Sequence, residues 1–351
     1  MRTSPSRLIP LALGSWALLS CADEPTHPTP FGSPETTTPA AAVASNSWLI
    51  RKDMWSIERN DLTAATVTDA AGRSVVYIIG GHTPAGTPLG KVMAYDVATN
   101  SWSLKASLPV PLWGMNQAAV LRGKIYVSGG CMFTACSYDG PSERLYVYDP
   151  ADNTWVRRQD MPYIRDAEGV LLFAGMHGVT GVIAGQLYTL SSCNYGDAPL
   201  FYECDPSLFF RYDPRTDRWT TLTRPKGSYR YGGVVDGRFY AVGSHVEVYD
   251  PATNEWTSKA DPASAPRSGA AMAVMFGQIY LMGGWGPDGQ GSYGPLRTTR
   301  VYDPAADRWS RRASLPTGRY GSAAAKVFVA GQPRIELIGG PRAGNNLQYV
   351  P

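Results

Sequence analysis

From residue 46 to its last residue the chain repeats itself, and this repetition limits it to a small set of folds. In each unit a strand-like run ends in a pair of small residues: Gly80-Gly81, Gly129-Gly130, Ser191-Ser192, Gly243-Ser244, Gly283-Gly284 and Gly339-Gly340. Tyr-Asp steps follow at Tyr95-Asp96, Tyr148-Asp149, Tyr212-Asp213, Tyr249-Asp250 and Tyr302-Asp303. Each step leads to a tryptophan, and the series is Trp48, Trp102, Trp155, Trp219, Trp256 and Trp309. A composition of 37 Gly, 28 Pro and 20 Tyr suits many short strands joined by tight turns and disfavours a helical bundle. A unit of this kind is a small sheet that cannot bury both faces alone. Arranging the sheets radially buries each against its neighbours. The small pairs allow close backbone approach. The tyrosines and tryptophans give apolar bulk with polar tips, and each Asp can accept bonds from backbone N–H groups of the turn it opens.

These residues resemble the kelch motif, over about residues 46–351. The resemblance implies an all-β, six-bladed kelch-type β-propeller with four-stranded antiparallel blades. There are six small pairs and five Tyr-Asp steps, so the last blade, beginning near Ile335-Glu336-Leu337, lacks its outer strand at the C-terminus. Asn46-Ser47-Trp48 resembles Thr99-Asn100-Ser101-Trp102. The N-terminal segment is therefore expected to supply the missing strand, and deleting residues 46–56 to destabilise the ring.

Upstream of the repeats, residues 1–20 read as a secretory signal, with Arg2 and Arg7 before the apolar run Leu8 to Leu19, which is too short to span a bilayer. Leu18-Leu19-Ser20-Cys21 resembles the lipobox of bacterial lipoproteins, which implies lipid on Cys21 and attachment to a membrane of the cell envelope, periplasmic or at the cell surface. An ordinary signal peptide with a chance cysteine is the alternative. Residues 21–45, rich in Pro, Thr and Ala, read as an extended tether. The formal net charge is +3, of which Arg2 and Arg7 supply two, so no nucleic-acid partner is expected.

The units are not equivalent. The stretch after the small pair is long in blade 2 (131–145), blade 3 (193–209) and blade 5 (285–299), and the connection at 162–176 is long too. These additions open on one face, where function is expected. Cys131, Cys136, Cys193 and Cys204 lie in them; Cys131–Cys136 and Cys193–Cys204 disulfides suit an exported chain, with a four-thiolate metal site as the rival reading. Basic residues recur near the inner-strand starts: Arg59, Arg165, Lys226 or Arg230, Arg267 and Arg319. They are expected either to ring the mouth of the channel, where Arg suits carboxylates or phosphates, or to bond backbone carbonyls of the next blade. A ring of cations would need nearby acids such as Asp61, Asp166 or Glu168. Trp113, Tyr163, Tyr195, Tyr229, Trp285 and Tyr293 are the aromatic candidates for contact.

No catalytic motif, metal site or cofactor is expected. His27, His82, His177 and His245 form no cluster with ligand spacing, and His82 and His245 come from opposite sides of the ring. The expectation is a cell-envelope binding protein, held to the membrane through Cys21, that presents the loop-rich face to a protein, peptide or glycan. The alternative by resemblance of fold is a sugar-active enzyme like the sialic-acid mutarotases, with Glu168, Glu143 or Glu203 as base.

Overall fold

The computed structural model describes residues 44–54, 59–133, 142–165, 171–195, 203–262, 268–287, 292–340 and 346–351, with backbone alone at 171–174, 192–195 and 203–206. The segments expected to be signal, lipobox and most of the tether, Cys21 included, lie outside them, as do Cys136, Asp166, Glu168 and Arg267.

Six antiparallel sheets form a ring. Blade 1 comprises Thr63–Thr68, Ser74–Ile79, Val92–Asp96 and Ser101–Lys105. Blade 2 comprises Ala119–Leu121, Lys124–Ser128, Leu145–Asp149 and Thr154–Arg158. Blade 3 has four strands, Leu171–Ile183, Gln186–Tyr195, Glu203–Asp213 and Arg218–Thr221, plus a short edge pair at Ile164–Arg165. Blade 4 runs through Tyr231–Val235, Arg238–Val242, Val246–Asp250 and Glu255–Lys259. Blade 5 runs through Ser268–Met275, Gln278–Pro287, Thr299–Asp303 and Arg308–Arg312, with Tyr293–Pro295 folded back on its second strand. Blade 6 takes Ser322–Val329, Gln332–Gly339 and Asn346–Val350 from the C-terminal end and Ser47–Arg51 from the N-terminal end. The closing pair is antiparallel, with Ser47 opposite Val350 and Arg51 opposite Asn346, as the repeat count requires.

Some of the length expected as loop is strand. In blade 3 the hairpin continues through Tyr195 and resumes at Glu203, and in blade 5 it reaches Pro287. Backbone pairing satisfies N–H and C=O groups that an open loop would leave to water.

The core lies in the seams between blades. Val76, Ile78 and Tyr95 of blade 1 pack on Ala323, Val327 and Ile338 of blade 6, while Tyr77 and Ile79 pack on Ile125, Val127 and Tyr148 of blade 2. The Tyr-Asp-Trp repeat turns out to be a clasp across these seams. Tyr95 Oη donates to Asn100 Oδ1 at 2.6 Å. That same oxygen accepts the Lys52 N–H at 3.0 Å, and Trp102 Nε1 donates to the Lys52 carbonyl at 3.2 Å. One blade thereby grips both backbone groups of a residue just past the outer strand of the blade before it. Asn153 and Trp155 hold Ala106 in the same way, Asp217 and Trp219 hold Gln159, Asn254 and Trp256 hold Thr223, and Asp307 and Trp309 hold Ala260. The sixth clasp uses both ends of the propeller: Asn46 and Trp48 hold Ala313, and Tyr349 Oη donates to Asn46 Oδ1 at 2.9 Å. The Asp of each Tyr-Asp step accepts turn N–H groups, as Asp96 does from Ala98.

Candidate functional site

Each inner strand enters the ring through a residue that faces the channel mouth. In register these are Asp61, Gly114, His177, Tyr229, Gly269 and Gly321. Five of the six, all but Tyr229, are left-handed, with φ between 48° and 63°. Gly, Asp and His tolerate that conformation better than most residues. In four of the five it aims the N–H at the carbonyl of the belt residue in the preceding blade. Gly321 N–H donates to Gly269 O at 2.8 Å, Asp61 to Gly321 at 2.9 Å, Gly114 to Asp61 at 2.8 Å, and His177 to Gly114 at 2.8 Å. This belt runs through blades 5, 6, 1, 2 and 3 and stops at blade 4. There the Tyr229 N–H turns away to Ser207 Oγ at 2.9 Å and its hydroxyl donates to Glu247 at 2.6 Å. The gap is taken by the next two residues: Arg230 and Tyr231 line the channel, and Tyr231 Oη accepts the Ala270 N–H at 3.1 Å.

Inside the belt lies a cavity of about 100 Å³ to which all six blades contribute; its polar lining includes Asp61, Gln117, His177, Arg230, Tyr231 and Ser322. His82 Nε2 is 3.0 Å from Asp61 Oδ2 and its Nδ1 is 2.7 Å from the Thr83 carbonyl. A carbonyl and a carboxylate can only accept, so both ring nitrogens donate and His82 is an imidazolium paired with Asp61. Its affinity for that proton is raised by the Asp61 bond. Burial alone would push the Asp61 carboxyl up, but the His82 bond and the charges of His177, His82 and Arg230 outweigh it and hold Asp61 below the usual carboxylate range. Trp113 wedges between the two histidines, its ring centroid 5.1 Å from that of His82 and 6.1 Å from that of His177. Burial pushes His177 below the ordinary imidazole value, so it is neutral at pH 7; Asp61 opposes this, and Arg230 and His82 reinforce it. Burial also lowers Arg230, against the pull of Tyr231 and Asp61.

Among the described residues, Arg59 and Arg319 do not ring the mouth, one of the two readings of these arginines. Arg59 is fully buried and Arg319 is 4 % exposed. Their carbonyls accept the second glycine N–H of the preceding blade, from Gly340 at 2.8 Å and Gly284 at 2.7 Å. Arg59 Nη1 donates to the Lys91 carbonyl at 3.2 Å, and burial lowers both guanidinium groups, Arg319 to about 10. Arg59 thus binds a backbone carbonyl, but one of its own blade rather than of the next. In the same register blade 2 has Leu112, blade 3 Gly175 and blade 4 Gly227. Arg165 sits instead on the added edge strand of blade 3, exposed to solvent. Only Arg230, among the described arginines of the series, reaches the channel.

The aromatic candidates divide as well. Trp113 is half-buried, Tyr229 buried, and Tyr163, Trp285 and Tyr293 exposed. The Tyr195 side chain lies outside the described ones, as do those of Glu203, Cys193 and Cys204, although the backbone register sets Cys193 opposite Cys204. Cys131 is buried and disulfide-bonded, its partner beyond the described side chains. Glu143 is half-buried beside Tyr163 on the rim rather than in the channel, and burial raises its carboxyl. Among the described residues no group of three or more His, Cys, Asp or Glu is placed to hold a metal. Sequence reasoning missed the Asp61–His82–Trp113–His177 group. Its members come from three successive blades, and only the ring brings them together.

The model of the Kelch motif matches residues 66–109, 115–162 and 266–316. Three blades carry the kelch motif. With the ring described above, the fold is that of a six-bladed kelch-type propeller. The chain is 27% identical over 321 residues to Kelch-like protein terF of Aspergillus terreus, covering 86% of this chain and 64% of that protein. It is 29% identical to Kelch-like protein 36 of Rattus norvegicus, over 69% of this chain and 46% of the relative. The chain thus spans less than two thirds of these relatives. The solved structure of YjhT superposes with a TM-score of 0.60 at 17% identity, covering 85% of this chain and 95% of that one, a likeness of fold.

Proposed function

We propose that this kelch propeller is a protein-interaction scaffold that captures a protein or peptide partner on the face around the channel mouth. One observation carries the reading. Phe133, Tyr163, Trp285 and Tyr293 are exposed by 45%, 57%, 37% and 54%, and all four sit on connections that open at that face. Large aromatic side chains held outward by a rigid frame cost little entropy to order and dominate protein contacts. The kelch-like relatives support the same reading. In this proposal residues 1–20 are the export signal, Cys21 carries lipid, residues 21–45 are the tether to the envelope, and Cys131–Cys136 and Cys193–Cys204 staple the rim. The register at Cys193 and Cys204 favours the second pair.

The test is peptide display against the full chain. Enriched peptides should lose at least about tenfold in affinity on Trp285→Ala or Tyr293→Ala, with an unchanged melting temperature. Absence of any enrichment, or indifference to both substitutions, removes the scaffold reading. Intact-mass and non-reducing peptide analysis of the exported chain tests the lipid and the disulfides.

A further inference from the structure

The end of the channel away from the mouth is lined by a second ring of residues. In register with each blade's clasp tyrosine, two strands inward, stands one inner-strand residue: Thr66, Val120, Val182, Val234, Val274 and Lys326. Five blades put a valine or threonine in this collar, and blade 6 puts a lysine. We propose that the collar is the entrance to a second binding site, which takes an aliphatic carboxylate. The carboxylate pairs with Lys326 at the lip, and the chain runs inward. The site does not depend on the scaffold reading.

Three features carry the assignment. First, the collar opens into a cavity of about 240 Å³ walled largely by methyl groups, from Ala64, Ala118, Ala273 and Ala324 with Val120 and Val274. Such walls favour methylenes over water. Gln117 closes the inner end. It lines both this cavity and the one at the mouth, and it reaches across from blade 2 to donate to the Met272 carbonyl of blade 5 at 3.4 Å. Second, Lys326 is the one charged residue of the collar. Asp69, Arg122 and Asp236 stand outside it on exposed turns. Among the described residues, which include every turn at this end of the ring, Lys326 forms no ion pair. Its Nζ lies 5.4 Å from the centre of the Phe328 ring. Phe328 is two residues nearer the opening, so the charge is held at the lip and the apolar walls lie behind it. An ammonium at the lip with methyl groups behind it matches an anionic head on an aliphatic chain. Third, Phe276 follows Val274 by two residues, as Phe328 follows Lys326, so adjacent blades each bring a phenyl group to this end. Phe276 is 61% exposed and left-handed at a φ of 54°. The same turn position holds Arg122, Ala184, Asp236 and Ala330 elsewhere. A bulky residue in that conformation is an outlier, and such strain clusters at ligand sites.

The probe is sodium octanoate, titrated calorimetrically into the full chain at constant ionic strength. It should bind saturably, at one site per chain. Lys326→Met keeps an unbranched apolar stem and removes the charge. Lys326 is exposed, so the fold is not at stake, and affinity should fall at least about tenfold. Phe276→Ala should weaken binding about threefold or more. From butanoate to octanoate each added methylene should tighten binding by up to about fourfold. Val274→Trp fills the collar and should abolish binding, and octylammonium, with the opposite charge on the same chain, should not bind. Heat that never saturates, equal affinity in wild type and Lys326→Met, indifference to chain length, or octylammonium binding as tightly as octanoate overturns the site. If Val274→Trp does not fold, the Lys326→Met and chain-length arms still decide.

Discussion

Glu336 is fully buried in the second strand of blade 6. Gln348, across the strand pair, donates to Glu336 Oε1 and in turn accepts from Arg334 Nη1 at 2.6 Å. Glu336 Oε2 has no hydrogen-bond partner among the described residues. Burial raises the carboxyl to about 7, against the Gln348 bond and the more distant charges of Arg51 and Arg334. In the unfolded chain the same group titrates near 4.5. Between these values the folded protein holds a proton that the unfolded chain releases, so stability falls as pH rises from about 4.5 to about 7 and is level above. A separation of about 2.5 pH units at 1.36 kcal/mol each makes the loss about 3 kcal/mol. Glu336→Gln keeps the shape and removes the titration. The variant should match wild type at pH 4.5 and exceed it by about 3 kcal/mol at pH 8, which for a propeller of about 300 residues is roughly 5 °C in melting temperature. Urea unfolding of both proteins at the two pH values measures it, and taking the difference cancels every other titrating group. A gap between variant and wild type that is the same at both pH values would refute the reasoning.

Two further outcomes follow from geometry already described. Asn46→Ala removes the acceptor for both the Tyr349 hydroxyl and the Ala313 N–H, and should cost about 1–3 kcal/mol in urea unfolding; removing residues 44–51 altogether should cost far more, and an unchanged melting temperature in that truncation would refute the closure. Gly114→Ala places a methyl 3.0–3.1 Å from the His177 ring at a φ of +61°, so it should lower stability by about 1–2 kcal/mol or more, measured by thermal melts; an unchanged melting temperature would refute the close approach.

The frame was legible because its chemistry is local and repeated. Tyr95 reaches Asn100 and Asp96 reaches Ala98 within one turn, so the pattern survives in linear order, and a count of Tyr-Asp steps against small pairs located the closing strand. The mouth was not legible, for two reasons. Arg59 and Arg319 occupy one register, but the register points into a seam; composition carries no sign of inward or outward direction. Arg165 was placed in that register through the long connection before blade 3, where the position belongs to Gly175. Conversely, Asp61, Trp113 and His177 each stand alone in sequence. A signal was available: His177 and Asp61 hold the belt position that Gly114, Gly269 and Gly321 hold elsewhere, and two polar residues in a glycine register mark where side chains replaced open space.

The closing strand also decides how the molecule answers a pull. Residue 46 leads straight into the outer edge of blade 6, so tension arriving from upstream falls on five residue pairs and one clasp. Pulled along the strand, those pairs resist together in shear; pulled away from the sheet edge, they separate in succession, beginning with Ser47 opposite Val350. The clasp on Lys52 comes next along this path, and the other four lie off it. Under force the propeller therefore has a designated tear line, and it opens as a split ring, with five blades still standing, before any of them unravels.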